Sequence, residues 1–428
     1  MLLYYDIENN LSVKERQRIS LVADRKKENI DSVVETAGFK VVPVVAIYGK
    51  NASGKTNLIK GLKHIFDMVK YSPIFDPLKG IPFHEPFKFT NQTGKDSKFE
   101  ISFTINNKRY TYGFSHNSEA ILEEYLYVFN SRKASKIFDK ELESEKYTFG
   151  TNYGMLEEYV EKTQNNKLLL STIAHWATNQ PEINEIYNFF TNGIIYYQKD
   201  CKAPAFDFYK NTSELLLKDE KARIFLKKLI KYLDMEIVDI EVKNLDIDID
   251  NINLDKAPEE IQQFIKIMKE KKHNIMSTDV KTVYDIEGEE YKLDLDDESN
   301  GIQKIYQLFP LIYHGLTSKK IIVIDEIETA LHPLLVRGIV SLFQDKNVNK
   351  YNSQLIFTTH FSTVLDLKVL RRDEIWFADR TIESGYSTEI YSLSDIKGVR
   401  TTDNIERDYL AGKYSRIPKI IAWNEIRE

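Results

Sequence analysis

VVPVVAIYGKNASGKTNLIKGL, residues 41–62, carries three signals in succession. Val41 to Gly49 begins with an apolar run of strand length, and apolar continuity without alternation predicts a strand buried on both faces. Gly49 to Thr56, GKNASGKT, fits G-x-x-x-x-G-K-[ST] at every position. From Lys55 to about Lys70, the residues Leu58, Leu62, Ile65, Phe66 and Val69 recur at helical spacing.

A strand, a glycine-bearing loop and a helix in this order make a cradle for phosphate. Gly49 and Gly54 let the backbone wrap the anion, and the amides of the helix start point at it. Lys55 is expected to reach the β and γ phosphates, and Thr56 to hold Mg²⁺. The expected nucleotide-binding set is Gly49, Asn51, Ala52, Ser53, Gly54, Lys55, Thr56 and Asn57. A chance match in a turn is the alternative, and the flanking strand and helix signals count against it.

Downstream, IIVIDEIE (Ile321 to Glu328) is an apolar β-branched run ending in Asp325-Glu326. Carboxylates at the C-terminal end of a buried strand fit a Walker B motif. Asp325 would accept from Thr56 or from water on Mg²⁺, and Glu326 would polarise the attacking water. Acids are also common at ordinary strand-to-loop transitions, so the paired phosphate loop gives this motif its weight. SQLIFTTH places His360 at the end of another buried strand, where it could meet a γ-phosphate. A lone strand-end histidine is more often structural, but the order of the three motifs favours the functional reading.

The rest of the chain frames these motifs. MLLYYDIENN reads as a strand, and KFEISFTI, KRYTYGFS and EEYLYVFN read as an antiparallel β patch with Asn106-Asn107 as a turn. Residues 130–290 read as an inserted, mainly helical lobe, with candidate helices at Met155–Thr163, Lys167–Trp176, Asp219–Leu233 and Pro258–Lys272. In the same region LDIDIDNINLD (Leu245 to Asp255) invites a metal reading, but alternation makes a solvated edge strand the better one. KIMKEKKH (Lys266 to His273) reads as the wet end of a helix and keeps nucleic acid open as a partner. The α/β pattern returns with helices at Ser299–Leu316 and Pro333–Phe343, and EIWFADR and STEIYSL close the sheet. The expected division is 1–129 and 291–428 as two parts of one head, with 130–290 between them.

Composition narrows the class. The 428 residues suit two or three domains, and 42% hydrophobic residues with 12% aromatics argue against disorder across the whole chain. A net charge of −6 argues against a wholly basic nucleic-acid coat. One cysteine, Cys201, excludes an intrachain disulfide framework and a Cys-rich metal site. No apolar run approaches the roughly 20 residues that span a bilayer, and the N-terminus lacks a secretory pattern. The expectation is a soluble, cytoplasmic protein with no membrane partner.

Phosphate loop, distant DE strand and later TTH strand together resemble the ABC-type ATPase heads of chromosome-maintenance and DNA-repair ATPases. The chain more closely resembles the fifteenth class of AAA-annotated ATPases, found in bacterial abortive-infection phage defence. MLLYYDIEN through SLVAD, VVAIYGKNASGKTNLIKGL, DDESNGIQKIYQL, VIDEIETALHPLLVRGIV, QLIFTTHFSTVLD and LRRDEIWF carry the likeness, with YSLSDIKGVRTTDNIERDYLAGKYSRIP at the close. It covers both ends of the chain and only loosely the middle.

The resemblance implies a P-loop NTPase head of ABC type binding ATP and Mg²⁺, with Glu326, His360 and Lys55 catalytic and Thr56 and Asp325 at the metal. It implies that ESNGIQK (Glu298 to Lys304) replaces the signature motif, so that Ser299 and Gly301 contact the phosphate of a second copy. Glu298 stands in place of the usual leucine and Asn300 in place of a glycine; a plain helix cap is the alternative. His332 lies where a D-loop would fall, or simply precedes Pro333 at a helix start, and Gln92 is the nearest Q-loop candidate by order. The implied biology is a homodimer or higher homo-oligomer joined through its heads, controlling a separate effector such as a nuclease or toxin. Alternatives are a chromosome-maintenance or repair ATPase, a transporter ATPase subunit, and an ATP-binding scaffold without turnover. Against the first stands the lack of sustained heptads between 130 and 290.

Overall fold

The computed structural model describes residues 1–25, 30–89, 96–130, 133–142, 146–177, 179–198, 208–247 and 275–417. Gln92, Cys201, the helix expected over 258–272, the 266–273 basic run and most of the 245–255 run lie outside these residues. The chain forms two compact units: Met1–Cys201 with His314–Thr329 and Ile339–Glu428, and Lys202–Tyr313 with Ala330–Gly338.

The first unit is an α/β body with one six-stranded and one seven-stranded sheet. The six-stranded sheet runs Ile194–Tyr197, Ile321–Ile324, Gln354–Thr358, Val44–Tyr48, Ile375–Arg380, Thr388–Ser392. Its pairings are parallel except the last, which is an antiparallel edge pair. Val44–Tyr48, Ile321–Ile324 and Gln354–Thr358 are buried at every position, which is why the first two, and Leu355 to Phe357 of the third, are apolar without alternation. Parallel order brings the C-terminal ends of these three strands, and so the three motifs, to one edge.

The seven-stranded sheet is antiparallel and runs Tyr147–Phe149, Ser135–Lys140, Ile121–Phe129, Lys108–His116, Ser97–Ile105, Leu2–Glu8, Gln17–Ser20. Asn106 and Asn107 both have positive φ, as a two-residue hairpin turn requires. Helix Lys55–Tyr71 packs Leu58, Leu62, Ile65, Phe66 and Val69 into a core shared with Ile47, Val323 and Ile356 of one sheet and Phe99 and Phe103 of the other. Helix Leu169–Trp176 has no cap of its own. Buried Glu124 supplies one, accepting from the Leu169 and Leu170 amides at 2.7 and 3.1 Å.

Three features depart from the sequence reading of 130–290. Ser135–Lys140 and Tyr147–Phe149 extend the seven-stranded sheet, and Ile194–Tyr197 is an edge strand of the six-stranded one. Of Ser135–Lys140 only Ile137 and Phe138 are buried, so its charges hide the strand signal. Gly154–Tyr159 is a 3₁₀ turn where a helix over Met155–Thr163 was expected; Leu156 and Tyr159 are buried at its three-residue repeat.

The second unit contains helices Phe208–Lys218 and Glu220–Tyr232 and a three-stranded antiparallel sheet. The sheet is made of Asp239–Ile247, Ile275–Ile286 and Glu289–Asp294. Asp219 caps the second helix through the Lys221 and Ala222 amides, and Glu289–Asp294 is exposed along its whole length. Among the described residues, no helix is long and apolar enough to cross a membrane.

Candidate nucleotide-binding site

Gly49, at the end of its buried strand, opens the loop. A Cβ there would lie 2.4 Å from the Ala378 carbonyl, so only glycine fits. Gly54 has a φ of 98° and closes the loop as the residue before helix Lys55–Tyr71. No side chain caps that helix start, so its first amides stay available to an anion. Lys55 Nζ donates to the Gly49 and Lys50 carbonyls at 2.8 and 3.2 Å, which ties the lysine across the loop. Asn51 and Ala52 are exposed, whereas Ser53 is fully buried and its Oγ has no hydrogen-bond partner. Asn57 lies in the first turn of the helix, half-buried.

The loop is braced from behind by residues that no motif marks. Thr388 Oγ1 donates to the Ser53 carbonyl at 3.0 Å and pairs with Ser12 Oγ at 2.8 Å. A Cβ on Gly54 would fall 2.0 Å from that same Thr388 oxygen. Arg380 donates to the Ala52 carbonyl at 3.3 Å and lies over the Phe89 ring. Ser12, Thr388 and Arg380 come from distant stretches of ordinary composition, so only the fold reveals them.

The carboxylates meet the loop at the strand ends. Thr56 Oγ1 donates to Asp325, with oxygens at 2.9 and 3.2 Å. Thr358 Oγ1 donates to Asp325 Oδ1 at 2.6 Å and accepts from the Glu326 amide at 2.8 Å. Glu326 has a φ of 50°, a left-handed conformation uncommon for glutamate, and its side chain is exposed. Glu328, which the sequence reading passed over, accepts from the His360 amide at 2.7 Å through Oε1, while its Oε2 is buried without a partner.

Burial pulls the Lys55 ammonium down to about 8, against the Glu328, Asp325 and Glu326 carboxylates, which hold it up. Burial also lowers the His360 imidazole, helped by the Lys55 charge and opposed by the same three acids. The imidazole is thus neutral near neutral pH and could accept or donate a hydrogen bond.

Phosphates and Mg²⁺ suit this arrangement. The unpartnered Ser53 hydroxyl, the free helix amides and the Lys55 charge are donors for an anion. Thr56 and Asp325 offer oxygens to a hard cation. Among the described residues, no group of three or more His, Cys, Asp or Glu could hold a metal alone. The remaining ligands would come from phosphate oxygens and water, as Mg²⁺ prefers.

Ser299 and Gly301 belong to the second unit. Ser299 is exposed at the start of the helix Asn300–Thr317, where its Oγ accepts from the Ile302 amide at 3.4 Å. The nearest atom to a Cβ on Gly301 is the Ala330 carbonyl, at 3.4 Å. His332 Nδ1 accepts from the Leu334 amide at 3.3 Å, at the start of helix Pro333–Gln344.

Residues 44–366 match the family AAA_21, described as "AAA domain, putative AbiEii toxin, Type IV TA system". No curated protein matches the chain. Among solved structures, the SMC head domain from Thermotoga maritima aligns with a TM-score of 0.42 and 13% identity, covering 91% of this chain and 98% of that one. An SmcHead bound to the C-winged helix domain of ScpA aligns with a TM-score of 0.40 and 10% identity, covering 91% and 97%. The family match spans the phosphate loop, the DE strand and the TTH strand, and on it the chain belongs to this family of AAA-domain P-loop NTPases.

Proposed function

We propose that the protein is a Mg²⁺-dependent ATPase whose ATP-driven head association controls a separate effector in bacterial antiphage, abortive-infection defence. The observation that carries the reading is the hydrogen-bonded chain from Thr56 through Asp325 and Thr358 to the Glu326 amide, beside the phosphate loop. Lys55 and the helix amides would bind the transferred phosphoryl charge. Thr56 and Asp325 would hold Mg²⁺, which when bound neutralises charge on the β and γ phosphates. Glu326 would orient the attacking water, and His360 would contact the γ-phosphate. Ser299 and Gly301, at a helix start, would bind the phosphate held by a second copy. The family's printed link to a toxin–antitoxin system supports a partner effector, and the net charge of −6 favours a protein over nucleic acid.

Phosphate release tests the hydrolytic part. Glu326→Gln is expected to keep ATP affinity and lower turnover by about a hundredfold or more. Lys55→Ala is expected to lose binding as well. Turnover at the wild-type rate in Glu326→Gln would overturn the assignment.

A further inference from the structure

Glu298 occupies the place of an apolar leucine in ABC-type signature segments, and the second unit gives it specific partners. The residue is only 9% exposed. Its Oε1 accepts from the Thr282 hydroxyl and, at 2.7 Å, from the Tyr284 hydroxyl. Thr282 is fully buried on Ile275–Ile286, the central strand of the three-stranded sheet. Both donors are therefore positioned by a strand paired on its two sides.

The turn is held from its other side as well. Gln303 Nε2 donates to the Asp296 and Glu298 carbonyls at 3.2 and 3.1 Å, and Tyr209 donates to Gln303 Oε1 at 3.1 Å. The next residue, Ser299, is exposed at the helix start. A buried carboxylate thus immediately precedes the segment expected to meet a phosphate.

A carboxylate beside helix N-terminal amides competes with any other anion for them. Two hydroxyl donors on one oxygen turn the Glu298 carboxylate into the sheet and satisfy part of its hydrogen-bonding demand there. We propose that Glu298 is a positioning residue: the Thr282–Glu298–Tyr284 clasp keeps its charge off the helix amides and fixes Ser299 and Gly301 for the phosphate bound by a second copy of the chain. The inference rests on the head-association reading above. The leucine-to-glutamate change is then a substitution of polar anchoring for apolar packing, with the sheet as its support.

The test uses the full chain. Thr282→Val with Tyr284→Phe removes both donors at nearly constant volume and leaves the carboxylate in place. This variant is expected to lose about tenfold in kcat and in ATP-dependent association, with KM for ATP and the affinity of the single head changed by less than about threefold. Each single change is expected to give a smaller loss of the same kind, which covers the case in which the double variant does not fold. Adding Glu298→Leu to the pair removes the charge and is expected to restore association to within about threefold of wild type. Normal association without the clasp, or no restoration by Glu298→Leu in a folded protein, overturns the inference. Ser299→Arg separates it from the reading beneath it. If Ser299→Arg blocks association while the clasp variant behaves as wild type, the clasp alone fails. If Ser299→Arg associates normally, the association reading fails and the clasp with it.

Discussion

Thr358 Oγ1 donates to Asp325 Oδ1 at 2.6 Å while accepting from the Glu326 amide at 2.8 Å, so one hydroxyl on one strand orients both acids at the end of its neighbour. The two strands pair in parallel, with Ile324 opposite Phe357, which brings Thr358 level with the acids. The donated bond leaves Asp325 Oδ2 to Thr56, and the accepted bond supports the left-handed backbone of Glu326. Thr358→Val removes both interactions without changing the shape of the side chain. Turnover is expected to fall about 10- to 100-fold, with ATP affinity within about threefold of wild type. Thr358→Ser keeps the hydroxyl and is expected to retain most activity. Steady-state kcat and KM on both variants check this, and equal losses in the two would show that the hydroxyl is dispensable.

Lys55 is expected to give ATP binding a pH dependence. Burial holds the free site's ammonium near 8, and phosphate oxygens around it would raise that value in the complex. Binding then takes up a proton once the free lysine is neutral. Affinity is expected to be level near about pH 7 and to fall as pH rises through about 8. Lys55→Arg keeps its charge throughout and is expected to bind with a flatter profile. Nucleotide titrations between about pH 7 and about pH 9.5 measure it; a level wild-type profile would place the ammonium away from the phosphates.

A buried histidine pair beneath the phosphate-loop helix sets a second pH dependence, in stability. His64 Nε2 of the helix faces His116 Nε2 of the strand Lys108–His116 at 2.8 Å. His116 Nδ1 lies 3.0 Å from the Asn117 carbonyl and donates to it; with a neutral His116 ring, its Nε2 accepts and His64 donates. Burial lowers His116 to about 4 and drives His64 well below the usual imidazole range, with His84 adding to both shifts and Lys63 adding to that of His64. His84 is itself lowered by burial, with Asp96 opposing the shift. The unfolded chain therefore binds more protons, and stability is expected to be lost as pH falls from about 6.5 toward about 4. Replacing the pair by His64→Leu with His116→Phe is expected to reduce the drop in Tm between about pH 7.5 and about pH 5. An unchanged drop would place the acid sensitivity elsewhere.

Val44–Tyr48 and Ile321–Ile324 were legible because they are buried at every position and read as apolar runs, as does Leu355 to Phe357 at the centre of Gln354–Thr358. Strands with few buried residues were not legible. Ser135–Lys140 buries only Ile137 and Phe138 among charges, and Ile194–Tyr197 is four residues long. In the site, the Gly49-to-Thr56 pattern was visible in residue spacing, whereas the Asp325-Glu326 pair drew its weight from being paired with that loop. Thr358, Glu328 and the Ser12–Thr388 brace were not legible, because serine, threonine and glutamate acquire these roles only through strand register and chain crossings that no local pattern encodes.

The central claim, that ATP joins two heads, is tested most directly by the solution mass of Glu326→Gln with and without ATP and Mg²⁺. Light scattering is expected to show the mass at least doubling when ATP is added, with Ser299→Arg in the same background preventing the change. A mass that stays that of one chain with ATP bound, in a protein whose wild type turns over normally, would contradict the account.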